Sequence, residues 1–188
     1  MPVQIGAKAH NFNDPTGLLS DCHRRIEMFM RSLEGVAKVM DSPPDEQTKT
    51  ALETALRYFH EAAPKHTADE EESLFPRLRE MQSPEVESAF SKLEELEGEH
   101  RWAEPLHAQV ESLGSEYLSR GQLSPVQVEA FRSAVNELSA MYKRHIAVED
   151  GTLFPVAAKV LSEANKQAIA AEMAERRAVP LVPLKGIR

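Results

Sequence analysis

One phrase is written twice in this chain: Lys65-His66-Thr67-Ala68-Asp69-Glu70-Glu71-Glu72-Ser73-Leu74-Phe75-Pro76 and Arg144-His145-Ile146-Ala147-Val148-Glu149-Asp150-Gly151-Thr152-Leu153-Phe154-Pro155. Each copy sets a basic residue before a histidine, a carboxylate four residues after it, and a Leu-Phe-Pro ending that reads as a helix stop. In a helix, positions i and i+4 stack on one face, so each copy presents an imidazole and a carboxylate side by side. Two such helices facing each other would make a metal cage.

A wider repeat surrounds the phrase. His23-Arg24-Arg25-Ile26-Glu27 is matched 77 residues later by His100-Arg101-Trp102-Ala103-Glu104, so His23, His66, His100 and His145 follow a two-unit plan of helix pair after helix pair. Five of the seven histidines (His23, His66, His100, His107 and His145) carry a glutamate at +4, where the glutamate content would supply about one by chance. An i, i+4 His–Glu pair can be a mere surface contact worth a few tenths of a kcal/mol. That reading accounts for one or two pairs and leaves the paired repeat unexplained.

Composition fits an all-α chain. Only eight glycines and three tyrosines stand against abundant Ala, Leu, Glu and Met. At 188 residues and 41% apolar content, the chain is expected to form one domain over 1–188, with a bundle core at about 15–160 and a C-terminal helix and tail over 161–188. The net charge of −8 argues against nucleic acid or an anionic membrane surface and suits a protein that attracts cations. The single Cys22 excludes an intrachain disulfide and a thiolate cluster. No run approaches the roughly 18 apolar residues of a membrane span, and no signal peptide is legible, so a cytoplasmic location is expected.

Helical spacing of Leu18, Leu19, Ile26, Phe29, Met30, Leu33, Val36 and Ala37 predicts a first helix after Asp14-Pro15 that reaches about Met40. The turn Asp41-Ser42-Pro43-Pro44-Asp45 leads to a second helix from about Glu46 to Leu74, kinked at Pro64. Ser83-Pro84 caps a third, running to about Ser119, and Ser124-Pro125 caps a fourth, ending near Leu153. A shorter amphipathic fifth helix spans Ser162 to Arg177, with an extended tail from Val179. Short connections between long helices give an up-down-up-down four-helix bundle with a short C-terminal fifth helix.

In such a bundle His23, His66, His100 and His145 lie at comparable depths and can converge, with Glu70 and Glu149 one turn beyond their histidines. Four neutral nitrogens and two carboxylates suffice for two divalent metals with the carboxylates bridging. Imidazole and carboxylate with open positions fit iron best; manganese or zinc is the alternative occupant.

These residues resemble the hemerythrin-like HHE domains over about residues 15 to 160. The resemblance rests on a lone histidine on the first helix, His-x-x-x-Glu with Leu-Phe-Pro on the second, Glu-His on the third, and His-x-x-x-Glu with Leu-Phe-Pro on the fourth. It implies a di-iron centre held by His23, His66, Glu70, His100, His145 and Glu149. The likeness is nearest to bacterial members with four histidines and two bridging glutamates, as in proteins of iron–sulfur repair and nitric-oxide stress. Oxygen-carrying hemerythrins have a further histidine on the third helix, whereas position 104 here is Glu, against simple oxygen carriage. The expected function is therefore to bind or sense O2, NO or peroxide. The alternatives are an enzyme reducing NO or peroxide and an iron donor of the iron–sulfur repair type. A homodimer is compatible with the sequence.

Glu27 and Glu104 are read as extra metal ligands or as carboxylates that orient histidine N–H groups. Glu99 is placed on an exposed face or beside an access path, and His107 with Glu111 forms a candidate second cation site. His60 should face away, Cys22 should be a small core residue, and Trp102, Phe59, Phe75 and Phe154 should be core.

Overall fold

The computed structural model describes residues 12, 14–81, 86 and 90–179. The Ser83 cap and the tail beyond Val179 lie outside the described residues. Helix α1 (Pro15–Val39) forms the first column, started by the Asp14 carboxylate, which accepts from Gly17 N–H at 3.0 Å. The second column comprises α2 (Glu46–Glu61), α3 (Ala63–Ala68), a π-helical segment (Asp69–Leu74) and α4 (Phe75–Arg79). Helix α5 (Phe90–Arg120) is the third column. It stops at Gly121, whose φ of 75° few side chains tolerate. The fourth comprises α6 (Pro125–Val148), a second π-helical segment (Glu149–Leu153) and α7 (Phe154–Val160), begun by a Ser124–Gln127 capping box. Helix α8 (Glu163–Arg176), capped by Ser162, completes an all-helical architecture in which no strand occurs among the described residues.

Packing runs first against second, second against third, third against fourth and fourth against first, a closed square of columns. Side-chain contacts fix the up-down-up-down order. Tyr117, late in α5, donates to Ser42 O at 2.7 Å, and Arg132, early in α6, donates to Ala37 O at 2.9 Å. Both reach the far end of α1. One apolar cluster, with Ile26, Met30, Leu33, Leu52, Phe131 and Leu138, fills that half. A second, with Leu19, Leu74, Phe75, Leu93, Leu153 and Phe154, fills the other. Ile169 and Met173 of α8 join the second cluster, so the fifth helix closes the end carrying the Leu-Phe-Pro units.

Those units differ from the expected stop. Helix continues past both prolines, because a π turn takes up an extra residue just before each. Phe75 N–H bonds to Glu70 O and Phe154 N–H to Glu149 O, an i to i+5 ladder. Pro76 and Pro155 then fall in the first turn of α4 and α7, where a missing N–H costs nothing. At Pro64 the expected kink is a one-residue break at Ala62. Trp102 departs from the core assignment at 46% exposure. Leu96, Ala103, Val110 and Tyr117 hold the inner stripe of α5 at seven-residue steps, and Trp102 lies about 100° off it.

Asp69, wholly buried, grips the fifth helix. It receives Arg176 at 3.0 Å and Arg177 at 2.5 Å, and Arg176 also donates to Ser73 at 2.8 Å. The π segment of the second column is thereby clamped from the C-terminal side.

Candidate metal centre

Between the two apolar clusters the four columns turn charged side chains inward. His23 comes from α1, His66 and Glu70 from the second column, His100 from α5, and His145 and Glu149 from the fourth. The structure brings these six together. One ligand atom each of His23, His66, Glu70 and Glu149 lies within 4.8 Å of the others, as do those of Glu70, His100 and His145. Glu70 stands 3.1 Å from His66 Nε2, 3.6 Å from His100 Nε2 and 3.8 Å from His23 Nε2. Glu149 stands 3.0 Å from His23 Nε2 and 3.2 Å from His145 Nε2. Each carboxylate thus lies between histidines of different columns.

The donor set tests whether a cation fits. His23 Nε2 and both oxygens of Glu70 and of Glu149 are buried with no directed hydrogen bond, although partners lie close. His100 Nε2 and His145 Nε2 face each other at 3.1 Å. Buried polar atoms are almost always satisfied. Five such atoms, converging from three columns in the cluster of histidines and glutamates, form a donor set that a bound cation would satisfy.

Protonation tells the same story. Burial opposes charging the His23 ring, but donation from its Nδ1–H to Asp150 and the carboxylates of Glu149 and Glu70 close to its Nε2 outweigh it and hold its pKa at about 11. His145 is likewise desolvated, yet Glu149 keeps it at about 9. Burial, then the charge of Glu149, pushes Glu70 upward. Protons on these nitrogens occupy the charge positions that metal ions would take. His66 and His100 are held neutral chiefly by burial.

The outer nitrogens show how the rings are aimed. His23 Nδ1 donates to Asp150 at 2.9 Å, His100 Nδ1 to Glu71 at 2.7 Å, and His145 Nδ1 to Glu99 at 2.9 Å. Asp150 is itself fixed by Ser20 at 2.8 Å and by Arg24. The two-unit plan is visible here: the acid following the inner glutamate of one phrase orients the histidine of the other unit, Asp150 for His23 and Glu71 for His100. Glu99 precedes His100 and serves His145. Its counterpart before His23 is Cys22, which has no carboxylate, and His66 Nδ1 has no hydrogen-bond partner among the described residues. Cys22 is buried as expected.

Glu27 and Glu104 stay outside this cluster. Glu27 lies 3.8 Å from Arg24, and Glu104 is exposed at a cleft between the second and third columns. Neither bonds a histidine among the described residues. Asp150 and Glu71, by contrast, were missed by sequence reasoning. The signal available was the acid repeated directly after Glu70 and Glu149, which helical geometry turns about 100° from its neighbour and so toward a different column. Glu99, expected on an exposed face or beside an access path, is only partly exposed and holds His145. His107 departs from the second-cation reading: Tyr142 Oη lies 2.8 Å from its Nε2, while Glu111 pairs with the exposed His60 at 3.0 Å.

A four-helix bundle with a His- and Glu-lined cage at its centre is the architecture of metal-binding helix bundles. The family model for the hemerythrin HHE cation-binding domain matches residues 14–157, and the chain belongs to that family. It is also similar to a Haemophilus influenzae protein described as uncharacterized, 30% identical over 173 residues that cover 89% of this chain and 92% of the relative.

Proposed function

We propose that this chain is a non-haem di-iron protein that binds or senses O2, NO or peroxide, with His23, His66, Glu70, His100, His145 and Glu149 holding two iron ions. The observation that carries the reading is the set of buried, unsatisfied histidine and glutamate atoms converging from three columns. Mixed nitrogen and oxygen donors without thiolate favour iron over a structural zinc site. Four neutral imidazoles and two carboxylates neutralise about half the charge of two divalent ions, leaving a cationic centre. Iron, when bound, supplies a reducible centre with open coordination positions.

The chain's own residues supply the rest. Asp150, Glu71 and Glu99 fix ring orientation and raise imidazole basicity. Ile26, Ile146 and Ala63 line the inner space and limit water. No described helix is long and apolar enough to cross a membrane, and a cytoplasmic setting suits the single free thiol. His66→Ala and His145→Ala test the assignment: each should lose at least one metal per chain by elemental analysis. Full retention in both would overturn it.

A further inference from the structure

A cleft of about 480 Å³ lies between the second and third columns, and it shares a wall with the inner space of the cage. Ala63, Thr67, His100 and Tyr142 line both. The inner space of about 10 Å³ accommodates roughly one water-sized body. Ala63 and Thr67 are the small members of the shared wall. A second cleft, between the first and fourth columns, shares only Tyr142 with the inner space and mixes Glu27 and Glu34 with Arg31 and Lys143. The larger cleft is one-sided: Glu71, Glu72, Glu104 and Glu111 line it, with no lysine or arginine among the described residues that line it. Glu71, Glu72 and Glu111 have partners in His100, Arg176 and His60, whereas Glu104 is exposed.

We propose that this acidic cleft is the path by which metal cations and neutral small molecules reach the cage through the Ala63–Thr67 wall, and that its charge holds back small anions. The inference rests on the metal-centre reading above. A cleft of one charge sign with low-dielectric walls concentrates ions of the opposite sign and depletes its own.

Azide, an anion at pH 7, and nitric oxide, which is neutral, are suitable probes of the iron-loaded protein in stopped-flow mixing. Ala63→Leu and Thr67→Leu thicken the wall from two positions one turn apart; if one fails to fold, the other carries the test. Both should slow association of both probes by about 10-fold or more, compared per iron bound after the iron content of each variant has been measured. Glu104→Lys should speed azide association about threefold at low salt, leave nitric oxide unchanged, and lose its effect at about 0.5 M salt. Wall variants that keep their iron yet bind both probes within about twofold of the wild-type rate would overturn the path. So would equal acceleration of azide and nitric oxide by Glu104→Lys. Failure of the wild-type protein itself to hold iron would overturn the metal reading first, and elemental analysis detects that before any kinetics.

Discussion

His107 should make this protein acid-sensitive in a way that one substitution removes. The ring is enclosed between Phe59, at a centroid distance of 4.9 Å, and Tyr142, and burial pushes its pKa down to about 4. In the unfolded chain a histidine titrates near 6.5. The unfolded state therefore binds more protons between these values, and stability rises with pH across the window. Stability from this group is full above about 6.5 and is lost as pH falls toward 4. At pH 5 the unfolded ring is almost fully protonated and the native one hardly at all, which costs about 2 kcal/mol relative to pH 7.5. One edge of the ring meets the cleft, so about 1.5–2 kcal/mol is the working figure. His107→Gln keeps a polar neighbour for Tyr142 and cannot titrate. Urea melts of both proteins at pH 7.5 and 5.0, in the same metal state, should show the wild type losing about 1.5–2 kcal/mol more than the variant. Equal losses would refute the buried, neutral His107.

Glu71→Gln, Glu99→Gln and Asp150→Asn should each weaken metal affinity about 10–100-fold in competition with a coloured chelator, while Glu27→Gln and Glu104→Gln should change it by less than about threefold; the reverse ranking would sink the orienting role. Glu70→Gln or Glu149→Gln keeps the shape without the charge and should cost at least one metal per chain. Because the carboxylates hold His23 at about 11 and His145 at about 9, iron uptake at pH 7 should release protons, and affinity should fall as pH falls; an indicator in weak buffer that stays unchanged on loading would contradict this. Asp69→Asn strips the anion from between Arg176 and Arg177, which can turn partly to water, so it should cost about 2–4 kcal/mol in a urea melt and loosen α8. A cost below about 0.5 kcal/mol would show that the clamp contributes nothing.

The columns and the six inward residues were legible because they depend on period. An apolar stripe at 3.6 residues marks a helix, and a histidine with a glutamate at +4, repeated in two units, marks a shared face. What was not legible depends on breaks in that period. Leu-Phe-Pro reads as a stop when only α-helical hydrogen bonding is considered; the π turns carry the helix through, and Glu71 and Asp150 meet the outer nitrogens of His100 and His23 through contacts between columns. Glu27 and Glu104 recur in the wider repeat as strongly as the inner glutamates do, and only the packing of four columns separates them. The Asp69 grip on Arg176 and Arg177 joins residues over a hundred positions apart, and no local pattern announces it. Trp102 was misplaced by its size, since a large apolar side chain on a helix edge can stay half in water.

Elemental analysis of the purified protein after anaerobic loading with ferrous iron, with an optical spectrum before and after oxygen and again after reductant, tests the central claim most directly. The proposed centre predicts close to two irons per chain and visible absorption that appears with oxygen and is lost on reduction. Less than about 0.2 iron per chain, or iron that leaves the spectrum unchanged through both additions, would contradict it.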